Sequence, residues 1–148
     1  MKKFVFNLQR VLTIKEKKEE LLKQELQRLI YKQKQYMTVK KFYEDELAEG
    51  YNKIRETEKF TSEDYIQQGQ FLGSIRNQIY NQVLMIREYE LKIEAKRVEL
   101  FENRKEVKTL EKLKERQKEE YAYEVMLDER KVMDDIASQR TARTARKV

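Results

Sequence analysis

The chain has 148 residues, 41% of them charged and 10% aromatic, with 33 Lys and Arg against 27 Asp and Glu for a formal net charge of +6. It contains no Cys and no His, which removes thiolate and imidazole nucleophiles, disulfides and nearly every transition-metal site. A mean hydropathy of −0.96 leaves too little apolar surface for a multilayered core, and with Gly and Pro together numbering three the expectation is long helices sharing a thin seam.

The opening Met1-Lys2-Lys3-Phe4-Val5-Phe6 starts like a secretion signal, but Asn7, Gln9 and Arg10 end the apolar run far short of an h-region. No stretch approaches the roughly 18–20 apolar residues of a membrane-spanning helix. The expectation is a cytoplasmic protein that meets a membrane through a partner.

Helix 1 is expected over residues 1–58. One series at intervals of seven, Leu8, Lys15, Leu22, Leu29, Tyr36 and Tyr43, runs beside a second, Val5, Leu12, Glu19, Leu26, Gln33, Lys40, Leu47 and Ile54. Together they make a coiled-coil seam interrupted by polar residues. A turn is expected over residues 59–64, where Thr61 can cap a new helix, Asp64 can supply the acidic third position and Phe60 can pack on Tyr65 as a staple. Asp in place of Glu makes this capping box imperfect, and Gly50 is a second candidate break.

Helix 2 is expected over residues 65–138 and carries the better stripe. Leu72, Ile79, Ile86, Ile93, Leu100 and Val107 recur every seven residues beside Ile75, Gln82, Tyr89, Lys96, Asn103 and Leu110. Gly69 and Gly73 have the spacing of a membrane helix contact in a segment too polar for one, so they are expected to loosen the first turns. Long amphipathic helices joined by a short connection become antiparallel neighbours. The expected fold is therefore all-α: a single domain of two long helices in an antiparallel coiled-coil hairpin, each about 55 residues and roughly 80 Å long, the second extending further. A reversal near residue 61 makes the numbers of facing residues total about 122, placing Phe4 opposite residue 118. Everything after Glu119 then overhangs, and the apolar side chains from Tyr121 to Ile136 read as a docking helix. Residues 139–148 read as a frayed basic tail.

Residues 1–20 and residues 129–148 each hold six basic and three acidic side chains, so the middle 108 residues sum to zero. A hairpin brings both ends together, and the positive excess there should seek an acidic socket. Paired carboxylates such as Glu19-Glu20, Glu119-Glu120 and Asp134-Asp135 read as solvated helix faces, because acid/base work needs a shielded site that two helices do not provide. Bases along the body are matched by acids, so no continuous nucleic-acid groove is expected. The chain reads as a non-enzyme without cofactor or metal, and as a monomer when isolated.

The opening Phe4-x-Phe6-x-Leu8-Gln9-x-Val11-Leu12, with Lys15-Glu16, and the closing run from Met133 to Arg143 resemble the two ends of the FliJ family of flagellar export proteins. The mid-chain segment from Asp64 to Leu72 agrees as well. The resemblance implies an antiparallel two-helix coiled coil similar to the central stalk of rotary ATPases, acting in type III flagellar export and peripherally associated with the inner membrane through the export apparatus. It implies three partners: the hexameric export ATPase, the cytoplasmic domain of the membrane export gate, and export chaperones. Carried onto this chain, the ATPase-facing residues are Phe4, Leu8, Arg10, Met133, Asp135, Arg140 and Arg143, and the gate-facing residues are Tyr43, Leu47, Phe71 and Ile75. The alternatives are an escort chaperone that holds substrates on the overhang, and the equivalent stalk protein of a virulence-type secretion system.

Overall fold

The structure, a computed structural model, describes residues 2–146. Two helices, α1 (Gln9–Glu56) and α2 (Ser62–Arg146), pack as an all-α antiparallel hairpin. The described residues divide into two compact units, one of residues 2–18 with residues 103–146 and the other Glu19–Glu102.

Helix α1 starts later than the sequence suggested, because the first residues use their side chains differently. Phe6 is buried with Leu12 and Val107, and Phe4, Leu110 and Leu113 pack around them. The Gln9 N–H donates to the Phe6 carbonyl at 3.0 Å, and the first helical bond runs from Leu12 to Leu8 at 2.9 Å. With residues 2–6 outside any helix, Val5 leaves the seam and is 73% exposed while Phe6 takes its place. Non-helical chain covers up to about 3.3 Å per residue against 1.5 Å in a helix. Phe4 consequently reaches beyond residue 118 to Tyr121, with ring centroids 5.7 Å apart.

Within α1 and α2 the seven-residue series are the seam. From Leu12 to Ile54, and from Leu72 to Leu110, every member of the four series is buried or half-buried. In the terminal unit Lys114 Nζ donates to Gln9 Oε1 at 2.6 Å, and in the other unit Arg76 donates to the Tyr51 hydroxyl at 2.7 Å. The residue numbers of these pairs total 123 and 127, close to the expected 122. The apolar core is thin. Among the described residues its buried members are Phe6, Leu12, Leu22, Leu72, Ile75, Ile93, Leu100 and Val107, each worth about 1.5–3 kcal/mol of transfer free energy.

Several polar seam residues find partners, most of them across the hairpin, while Gln82 Oε1 is buried without one among the described residues. Lys15 pairs with Glu106 at 2.5 Å, and Lys96 with Glu25 at 2.6 Å and Glu99 at 3.3 Å. Gln33 donates to the Ile86 carbonyl at 3.3 Å, and Asn103 to the Lys15 carbonyl at 2.9 Å. The bond from Lys15 holds the Glu106 carboxyl below its ordinary range, and the bond to Glu25 raises the Lys96 ammonium. Asn103 is 3% exposed, and its Oδ1 accepts no hydrogen bond among the described residues.

The start of α2 is the capping box completed with Asp. Thr61 N–H donates to Asp64 Oδ2 at 3.1 Å and Asp64 N–H donates back to Thr61 Oγ1 at 3.2 Å. The shorter Asp side chain still reaches, so Ser62 and not residue 65 opens the helix. Phe60 and Tyr65 close the staple with centroids 5.0 Å apart. Gly50 breaks nothing: it is buried inside α1. Gly69 and Gly73 lie within an unbroken α2, with open space where a Cβ would be.

At the other end α2 continues through residues 139–146, where the sequence suggested fraying. Arg and Ala are strong helix formers. Thr141 and Thr144 return their hydroxyls to the carbonyls of Ala137 and Arg140 at 2.9 Å, and Arg143 and Arg146 occupy the last turn, where cations complement the helix dipole.

Candidate interaction surfaces

The terminal unit contains the first residues of the chain and the long end of α2. Tyr121 marks where they meet: its ring tilts against Phe4 and its hydroxyl donates to the Lys2 carbonyl. Beyond it Val125 is still half-buried, and from Met126 to Arg146 every residue is exposed. The uncovered stretch thus starts some residues later than Glu119.

The seven residues singled out here fall into two groups. Phe4 is half-buried, Leu8 is 39% exposed and Arg10 is exposed, all beside the part of α2 that contacts the chain start. Met133, Asp135, Arg140 and Arg143 are exposed on α2. At 1.5 Å per residue they lie about 18 to 33 Å along the helix from Tyr121. The structure does not bring the two groups into contact.

The apolar side chains along this part of α2 are regularly spaced. Val125, Val132, Met133 and Ile136 fall at steps of seven, one and three, which is one face of a helix. Val125, Asp128, Glu129, Val132 and Met133 line a shallow hollow on that face. The signal was legible, since the step of seven from Val125 to Val132 repeats the interval that defines the seam.

In the central unit Tyr43 and Leu47 are half-buried, Phe71 is 51% exposed and Ile75 is 4% exposed. Ile75 is therefore a seam residue, and Phe71 is the exposed member of this group. Among the described residues no group of His, Cys, Asp and Glu has the arrangement to hold a metal ion. No helix among them is long and apolar enough to cross a membrane.

The profile of the family described as Flagellar FliJ protein matches residues 4–146. The chain belongs to the FliJ family. Curated proteins and solved structures gave no match. Membership in the FliJ family places the chain with the flagellar export apparatus, as a non-enzymatic component. The match begins at Phe4 and ends at Arg146, so it takes in both the non-helical lead-in and the last turn of α2.

Proposed function

We propose that the protein binds the hexameric export ATPase through its terminal unit, promotes assembly and activity of the ring, and links the ring to the membrane export gate. The observation that carries this reading is the uncovered end of α2. Val132, Met133 and Ile136 are exposed on one face that continues the seven-residue step from the half-buried Val125, and Arg140, Arg143 and Arg146 follow with no acid after Asp135. An acidic, helix-lined opening in a ring complements that combination of apolar stripe and positive end. Phe4, Leu8 and Arg10 form the collar where the ring would meet the paired part of the terminal unit. Gate contact is assigned to Tyr43, Leu47, Phe71 and Ile75, with Phe71 the exposed member and Ile75 buried in the seam.

The test is to mix the protein with the ATPase at low salt and follow ring formation and hydrolysis. Both are expected to rise, and Arg140→Glu with Arg143→Glu to weaken the effect. Unchanged turnover and no complex would overturn the reading. The exposed side chains of Tyr123, Met126 and Leu127 favour a second reading, an escort for export substrates or their chaperones. Holding activity that disappears on truncation after Lys118 but survives the two Arg reversals would select it.

A further inference from the structure

Charge that sums to zero over the middle of the chain is unevenly spread there. Between Glu25 and Glu44 no Asp or Glu occurs, while Arg28, Lys32, Lys34, Lys40 and Lys41 all fall in that interval. On the facing helix, no Asp or Glu occurs between Asp64 and Glu88.

Helical spacing sorts the α1 residues by direction. Leu29, Gln33, Tyr36 and Lys40 are half-buried in the seam, with Tyr36 against Tyr89 at 5.4 Å. Arg28, Tyr31, Lys34, Thr38, Lys41 and Phe42 occupy the opposite side in one continuous stripe, and all six are exposed. Lys40 pairs with Glu44 at 3.4 Å, and bases elsewhere in this unit are likewise matched, Lys23 with Glu19 on α1 and Lys92 with Glu88 on α2. Arg28, Lys34 and Lys41 meet no carboxylate among the described residues. Tyr31 at 64% and Phe42 at 57% exposure turn their rings outward near the two ends of the stripe.

Tyr31, Lys34 and Thr38 border a shallow hollow with Tyr36 and Gln82, while the bases and rings of the stripe stay exposed on either side of it. A bilayer surface offers phosphates to flexible Lys and Arg side chains and an interfacial layer to Tyr and Phe rings at once. We propose that the outer stripe of α1 from Arg28 to Phe42 holds the protein directly against an anionic lipid surface. Each base near such a surface strengthens binding about fivefold, so three together give on the order of 100-fold preference for charged over neutral lipid. This contact is independent of the terminal unit and adds to any route through a partner.

The full chain is tested by flotation with phosphatidylglycerol–phosphatidylcholine vesicles against pure phosphatidylcholine. Binding is expected to the first alone and to fall as salt rises. Lys34→Glu with Lys41→Glu should weaken it by at least about 30-fold, while the same charge change at the exposed Lys108 and Lys112 leaves most of it. The chain has no Trp, so Phe42→Trp reports depth, with a blue-shifted emission expected on anionic vesicles. Equal binding to neutral vesicles, an unshifted emission, or binding that survives the Lys34 and Lys41 reversals but is lost on truncation after Gln139 would each overturn the proposal. So would retention on polyglutamate with no vesicle binding, which would reassign the stripe to acidic proteins.

Discussion

Gly50 of α1 lies so close to Leu72 of α2 that a Cβ built on it would stand 2.5 Å from Leu72 Cδ2. Leu72 is 3% exposed and has little room to turn away. Gly50→Ala is therefore expected to cost about 1–3 kcal/mol in overpacking, offsetting its gain in helix propensity. At Gly69 and Gly73, where the added methyl meets nothing, Ala is expected to stabilise by about 0.8–1 kcal/mol each. Urea denaturation of the three single variants checks the contrast; equal gains at all three would show that the close approach is not maintained.

Asn103 is a buried polar residue of the terminal unit, and among the described residues its Oδ1 has no hydrogen-bond partner. Replacing it with Leu removes an unsatisfied acceptor along with the bond to the Lys15 carbonyl. Asn103→Leu is expected to raise stability by about 1–3 kcal/mol while loosening the register of the pairing. Thermal unfolding measures the first effect and disulfide trapping across introduced cysteines the second.

The Thr61–Asp64 box is expected to contribute about 0.5–2 kcal/mol, lost in Thr61→Ala. Its bonds to the Thr61 backbone and hydroxyl hold the Asp64 carboxyl below its ordinary value of 3.8. A carboxylate with a depressed folded pKa stabilises above its unfolded value and ceases to do so as pH falls through the folded one. The cap should persist down to about pH 4 and weaken below it, a loss absent from Asp64→Asn. Helicity followed during acid titration of the two proteins decides this.

Glu106 follows the same sign, since its bond to Lys15 lowers its pKa from 4.5. Lys96 has the opposite one: raised from 10.5 chiefly by Glu25, it stabilises fully below that value and loses its contribution as pH rises through the folded pKa. Glu106→Gln should flatten the acid limb of the stability profile, and Glu25→Gln the alkaline limb.

Much of the fold was legible because one physical rule, burial every seventh residue, governs most of it. Lys96 and Asn103 fit the period as well as Ile93 and Leu100 do, and they are half-buried and buried respectively. What the period cannot report is where a helix starts: Phe4 and Phe6 are apolar in any conformation, and only the core around Leu12 and Val107 shows that they enter it as non-helical chain. Gly50 misled because a residue without a side chain serves a break and a close approach equally. For the candidate surfaces, the sequence showed that Met133 has no cover. That Phe4 and Met133 occupy separate stretches of the terminal unit depended on how far the lead-in reaches, which no pattern encodes.

The uncovered end of α2 has a consequence for the life of the molecule. A helix without neighbours opens easily, and Arg130, Lys131, Arg140 and Arg143 lie along it as cleavage points for trypsin-like proteases. Each cut would leave the paired helices standing and remove the part with the most to offer a companion. How long an intact copy survives then depends on how soon something sheathes that end.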